Sequence, residues 1–392
     1  AVEWFTGKRY AKEDSEIAVD AAYAGVMETV ASDLCNEGKR LLAKVDALQN
    51  DTALSERREL AENLTRSADE LVRNGSFYSA ASYCFRANII HKTLLYRAEG
   101  LDADEVVSRA EALRVEVDAL RKSVASRPQR TIADVETHLA VSERITEAGK
   151  AVDEVLVVAN ESGRAAGQLA YAEERLGSAR AWSRFFDLPA KAFAVDQSAL
   201  RNACQLKISE AEERLSYVST IVPDALGGTR EVLESAYGEL GNGSFGVCLQ
   251  KASKAKAEAD VLLSVVGYEP SHVAEVIDFK LSTVRRSLAR AQERGLFPLV
   301  AYSYYEYASS LREQDQYSAL LFSEYALELS NLDIYFGSQV MRKKPSLGFR
   351  LQGVDWRVLV GVGVLHGFLA GVVAAWLIAG RKNARKSRRH RR

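Results

Sequence analysis

Histidines, cysteines, paired acids and glycine-rich loops are where chemistry would be sought, and none is spaced for it in this chain. The five histidines, His91, His138, His272, His366 and His390, share no HxxxH or HExxH spacing, so no zinc-dependent hydrolysis is expected of them. Cys35, Cys84, Cys204 and Cys248 lie far apart with no CxxC pair, which excludes a zinc ribbon. In an oxidising exterior they form up to two disulfides that spacing does not pair, and buried free thiols are an equal reading. Gly227-Gly228-Thr229-Arg230 lacks the lysine and the preceding strand of a phosphate-binding loop, and no GxSxG elbow occurs. Glu173-Glu174 and Glu212-Glu213 fall in amphipathic helices, where a solvated charged face is expected rather than an acid–base pair. No residue is therefore assigned a catalytic, metal-binding or cofactor-binding role, and no cofactor is expected.

Three other sets carry binding chemistry instead. Of ten asparagines, five open an N-x-Ser/Thr sequon: Asn50, Asn63, Asn74, Asn160 and Asn242. They are acceptors for glycosylation if the segment is exported. Tyr302, Tyr304, Tyr305, Tyr307 and Tyr317 form a cluster that suits a helix–helix core, with a peptide-binding groove as the alternative. Gly363, Gly367 and Gly371 form GxxxGxxxG, a small-residue stripe through which two membrane helices pack and the chain forms a homo-oligomer.

That stripe lies in Val358 to Gly380, 23 residues without a formal charge. As a helix the run rises about 35 Å, enough to cross a hydrocarbon core of roughly 30 Å. Twelve residues follow it with eight Lys or Arg and no acid, against five dispersed cations on the other side, Arg342, Lys343, Lys344, Arg350 and Arg357. The positive-inside bias makes the 381–392 tail cytoplasmic and the body extracytoplasmic, in a single-pass protein of the cell membrane. With the tail cations set aside, residues 1–380 carry 44 basic and 53 acidic groups, a net of −9, so a nucleic-acid partner is not expected. The partners expected are the lipid bilayer and proteins.

The remaining chain is expected to be all-α. Six prolines in 392 residues and long alternation of charged and apolar positions point that way. A first helix is expected from Lys12–Ser15 towards Gln49, with Val30, Leu34, Leu41, Val45 and Leu48 on one stripe. Val106, Ala110, Leu113, Val117, Leu120 and Val124 follow a heptad-like rhythm suited to an antiparallel coiled-coil seam. Thr131 with Asp134 has the form of a capping box, and Pro223 to Gly228 is the clearest loop. The expected organisation is 1–10 as the end of a preceding domain, 11–222 and 229–335 as helical subdomains, 336–357 as a juxtamembrane linker, 358–380 as the span and 381–392 as the tail.

An internal repeat runs through the body. Ala68 with Asn74-Gly75-Ser76-Phe77 recurs 168 residues later as Ala236 with Asn242-Gly243-Ser244-Phe245. A fainter copy, Ala308 with Asp315-Gln316-Tyr317, lies 240 residues after the first. Each copy is expected to be a helix, a tight turn and a helix, with a small residue allowing close approach and the aromatic after the turn wedged between. Antiparallel hairpins of this kind resemble tetratricopeptide-like units, although no fixed short period recurs.

The opening Ala1–Tyr10, AVEWFTGKRY, resembles the end of the protease domain in archaeal membrane-associated Lon-like serine proteases. Trp4-Phe5-Thr6-Gly7, a helical region over 11–335 and a span over 358–380 follow that family's order. The first residue is Ala, so a processed product or fragment is expected, and the family's Ser–Lys dyad would precede it. The resemblance implies a non-catalytic helical stalk and anchor that tethers the endopeptidase and presents protein substrates. The alternative is a stand-alone membrane-tethered scaffold that binds partner proteins on its hairpins.

Overall fold

The computed structural model describes residues 16–47, 55–186, 188–189, 196–223, 226–266 and 272–331. Ala1–Tyr10, Asn50, the span with Gly363, His366, Gly367 and Gly371, and the basic tail with His390 lie outside these residues. The described chain is all-helical, twelve α-helices and one short 3-10 turn with no strand. No helix among the described residues is long and apolar enough to cross a membrane.

The helices form four groups of three. The first group is α1 (Ala21–Asp46), α2 (Ser55–Arg73) and α3 (Phe77–Glu99); the second is α4 (Ala103–Ala125), α5 (Ile132–Val157) and α6 (Ser162–Trp182). The third is α7 (Gln197–Ile221), α8 (Gly227–Gly241) and α9 (Phe245–Val265); the fourth is α10 (Val273–Glu293), α11 (Leu299–Leu311) and α12 (Gln316–Leu329). In the first, third and fourth groups the last helix packs on both others, which barely touch each other. These are the three copies of the sequence repeat.

Local sequence explains most helix ends. Asp102 caps α4 and Thr131 caps α5, each in a full capping box, as the Thr131–Asp134 spacing suggested. The α1 helix starts later than expected, because the Asp20 carboxylate accepts the Tyr23 N–H at 3.0 Å and holds residue 20 extended. The expected α4 seam is buried at Val106, Ala110, Leu113, Val117 and Val124.

Both Asn-Gly-Ser turns have the same backbone. Gly75 and Gly243 sit at φ 75° and 76°, a left-handed conformation that only glycine adopts without cost. Ser76 N–H reaches Leu71 O and Gly75 N–H reaches Val72 O; Ser244 and Gly243 repeat this with Glu239 and Leu240. This is the Schellman arrangement, which satisfies the last carbonyls of α2 and α8.

Ala68, Ala236 and Ala308 are fully buried, so the small residue does let the helices approach. The aromatic wedge is a correction: Phe77 and Phe245 are half-buried and Tyr317 is 63% exposed. These residues open their helices, at the rim of each hairpin, and the interior is filled from later turns. Of the tyrosine cluster, Tyr304 and Tyr307 are buried, Tyr302 and Tyr305 half-buried and Tyr317 exposed. Tyr304 and Tyr307 join Tyr78, Phe322 and Tyr325 in tilted and edge-on contacts, the geometry of a packed core.

The four cysteines are paired, Cys35 with Cys84 and Cys204 with Cys248, at Cα separations of 5.1 and 5.7 Å. Each bond links the first helix of a repeat group to its last, α1 to α3 and α7 to α9. Beside the first bond, Gly38 lies so close to α3 that a Cβ there would come within 2.7 Å of the Asn88 side-chain oxygen.

Gly75→Ala and Gly243→Ala are each expected to cost about 1–2 kcal/mol of unfolding free energy, the penalty for a side chain in this conformation. Gly177→Ala, inside α6 with nothing within 4 Å of the new methyl, is expected to gain up to about 1 kcal/mol. Denaturant melts of the three variants measure both signs.

Candidate binding cavity at the start of helix α9

The second helix of each repeated hairpin starts with amides that its own turns do not use. In the first copy, the amide of the third residue, Ser79, donates to Glu306 Oε1 on α11 at 2.9 Å. The Tyr78 amide serves the same carboxylate. In the fourth group, Asp315 accepts the equivalent Ser318 N–H at 3.0 Å. In the third group Val247 stands in that place. No side chain among the described residues accepts from the amides of Phe245, Gly246 or Val247.

A cavity of about 520 Å³ lies before that turn, between α4, α5, α7 and the α8–α9 connection. Sites for small ligands and peptide ends are of this size. Val135, Leu139, Ile145 and Leu200 supply an apolar wall, and Gln129, His138, Ser142 and Thr146 supply polar groups. Arg121 stands at the rim, also paired with Asp118. Glu239 lines the space too, held by Lys251 at 2.6 Å. Burial pushes the His138 imidazole below its ordinary value, so the ring is neutral at pH 7. Its Nδ1 lies 3.4 Å from Ser142 Oγ.

A buried ion pair of α5 and α9, Glu143 with Lys254, is also bonded by Gln250, 3.1 Å from the carboxylate. Burial opposes the charge on Glu143, but Lys254, Arg144 and Arg175 outweigh it and hold the carboxyl below its usual range. Lys254 also lies over the rings of Tyr304 and Tyr325, 5.6 and 5.1 Å from their centroids. The pair therefore fixes α9 against α5 and α12.

A larger space of about 610 Å³ lies between α1, α3, α4 and α6. Most of its charges are spent on each other. Lys92 bridges Glu173 and Glu174 at 3.1 and 2.7 Å, Arg180 meets Glu116 at 2.6 Å, and Arg184 meets Asp33 at 2.6 Å. The Glu173-Glu174 pair is thus a structural partner for a lysine. Glu212 of the other acid pair accepts the Tyr237 hydroxyl.

Of the histidines, His91 is fully buried on α3, His138 lines the cavity and His272 precedes α10. No group of three or more possible metal ligands occurs among the described residues. Four of the five sequon asparagines, Asn63, Asn74, Asn160 and Asn242, are exposed. Asn74 and Asn242 occupy equivalent places in the two Schellman turns, whereas the Thr65 hydroxyl of the Asn63 sequon is buried against Ala61 O at 2.9 Å.

Neither Glu306 nor the cavity is legible in the sequence. Glu306 lies 227 residues from the amide it serves, and no local pattern marks it. The repeat marks the starts of α3 and α9 as alike, neither having an acid at a capping distance, but not which of them a distant carboxylate serves. Compared with known proteins, the chain matches no family model, no curated protein and no solved structure.

Burial raises the Glu306 carboxyl to about 7, with the Ser79 and Tyr78 amides pulling the other way. Its folded value thus exceeds its ordinary one of 4.5, so its contribution to stability is complete below pH 4.5 and is lost as pH rises through 7. Glu306→Gln keeps an acceptor oxygen without the charge. It is expected to match the parent at pH 5 and to exceed it by up to about 3 kcal/mol at pH 8.5, at 1.36 kcal/mol per pH unit. Melting curves at the two pH values measure the difference.

Proposed function

We propose that this chain is the partner-binding helical stalk of a membrane-bound assembly, outside the cell, with 358–380 as its anchor and 381–392 in the cytoplasm. The observation that carries the reading is the pair of disulfides at matching places in two repeat groups. Such bonds persist in oxidising compartments and are rare in reducing ones. They agree with the charge asymmetry about the apolar run and with the sequons, neither of which depends on cysteine. The all-helical body of stacked hairpins supports a binding role, because hairpin stacks expose grooves between their helices.

The first specific form is the non-catalytic stalk of a Lon-like serine protease, supported by Trp4-Phe5-Thr6-Gly7 followed by a helical body and an apolar run. The second is a stand-alone scaffold, supported by the cavity before α9. Immunoprecipitation of the native protein from membranes, followed by peptide mass spectrometry, separates them. Peptides of a Ser–Lys protease domain contiguous with Ala1 are the expected result of the first form. The second form yields none, together with a co-purifying partner.

Two measurements test the shared reading. The full chain is expected to stay in the pellet after carbonate washing and ultracentrifugation and to need detergent for release. Recovery in the supernatant contradicts the anchor. Denatured but unreduced protein is expected to take up no maleimide, and four equivalents after reduction. Cys35→Ala with Cys84→Ala opens a 49-residue loop and is expected to lower stability by about 3–4 kcal/mol. Replacing Gly367 by Ile is expected to weaken self-association of the span in a membrane dimerisation assay.

A further inference from the structure

Four of the five sequons fall among the described residues, and the fold sorts them into two kinds. Asn74, Asn160 and Asn242 are exposed turn residues, whereas Asn63 lies inside α2. The three turn sequons occupy one place in the architecture. Each stands in the connection between the second and third helix of its group: α2 to α3, α5 to α6 and α8 to α9. We propose that Asn74, Asn160 and Asn242 carry N-linked oligosaccharide and that Asn63 stays bare.

The hydroxyl two residues after the asparagine decides this, because the sequon is defined by it. Ser76 and Ser244 stand at the N-caps of α3 and α9, where a serine ordinarily accepts from the helix amides. Neither makes that bond. Ser162, the first residue of α6, is exposed. None of the three hydroxyls has a partner among the described residues. Thr65 of the Asn63 sequon is the opposite case. It is only 8% exposed, and its hydroxyl donates to Ala61 O at 2.9 Å within α2. Presenting it requires that helix to unwind. The last helix group supplies an internal contrast. Its corresponding connection has no sequon, and Asp315 there caps α12 by accepting the Ser318 N–H at 3.0 Å.

The donor required is an oligosaccharide joined through phosphate to a polyprenol, with its transferase in the same membrane. The asparagine side-chain nitrogen attacks the anomeric carbon, so a C–N bond forms as the C–O bond to phosphate breaks. The lipid phosphate leaves with the electron pair, and the proton lost from nitrogen goes to a base of the transferase. Transfer of this kind reaches only an exported chain and therefore rests on the orientation proposed above. Helices α3 and α6 run antiparallel, since Arg97 donates to Gly163 O at one end while Tyr78 meets Trp182 at the other. Glycans at Asn74 and Asn160 thus sit at opposite ends of this pair and leave its flanks open to a protein partner.

Mass spectrometry of intact glycopeptides from the full chain, purified in detergent from membranes of its own source, tests it. The peptides with Asn74, Asn160 and Asn242 are expected to carry glycan, and the peptide with Asn63 none. In the native host, Ser76→Ala, Ser162→Ala and Ser244→Ala are each expected to remove one glycan, whereas Thr65→Ala removes none. In glycan-free protein from a host without the transferase, Ser76→Ala and Ser244→Ala are expected to leave the melting temperature unchanged, while Asp315→Ala lowers it. A bare asparagine at any of the three turns, a glycan at Asn63, or a fall for either serine variant as large as that of Asp315→Ala overturns the proposal. Bare asparagines in a chain that still pellets with membranes, its four cysteines oxidised, remove the glycans and leave the exported stalk standing. Bare asparagines together with free thiols contradict both.

Discussion

A helix begins with amide hydrogens that nothing inside it can accept, and the way this chain meets that constraint determines which helices lie together. Where a nearby side chain serves, the start is local: Asp20, Asp102, Thr131, Asp196 and Asp315 each cap the helix they precede. At two other starts the acceptor comes from far away. Glu306 of α11 serves α3, and Glu136 of α5 accepts the Val300 N–H of α11 at 3.3 Å. Those two bonds hold α11 between the first and second helix groups. Tyr23 with Ser303 at 2.9 Å, and Tyr83 with Gln314 at 2.8 Å, fasten the fourth group to the first in the same region. A cap that crosses the molecule does two things at once: it satisfies a donor and it fixes a neighbour.

Charge inside the body acts the same way. Lys254 meets Glu143 across α9 and α5; Lys207 and Lys256 share Glu328 of α12; Lys280 of α10 meets Glu324. Taking such groups out of water costs about as much as their pairing returns, so they are weak sources of stability. Their value is in exclusion. A helix docked in the wrong register would leave a buried lysine without its acid, which is costly. The exposed pairs along α1, α2 and α4 carry no such penalty and contribute little. The 27% of charged residues is therefore compatible with an apolar core that runs from Tyr23 to Leu329.

What could be read from the chain alone was whatever its neighbours along the sequence decide. The Val106–Val124 stripe, the Thr131–Asp134 box and the twin Asn-Gly-Ser turns are short-range patterns, and all three are present in the fold. The start of α1 was placed before Asp20, whose carboxylate caps a helix that begins at Ala21. The cysteine pairs, the cap from Glu306 and the Glu143–Lys254 bond join residues 44 to 227 positions apart, and no periodicity encodes such distances. The repeat carried half of the information about the cavity. Aligning Ser79 with Val247 marks two equivalent helix starts, but only the packing reveals that one is occupied and the other faces a space.

Two starts of the same design therefore differ in one long-range cap. Amide hydrogen exchange resolved at Ser79 and Val247 in the ligand-free protein measures it directly. With Glu306 on one and no acceptor on the other, Val247 is predicted to exchange at least about a hundredfold faster, as an amide open to water within a folded body. Equal protection at the two residues would mean that the α9 start already has its acceptor, and the contrast between the repeats would be gone.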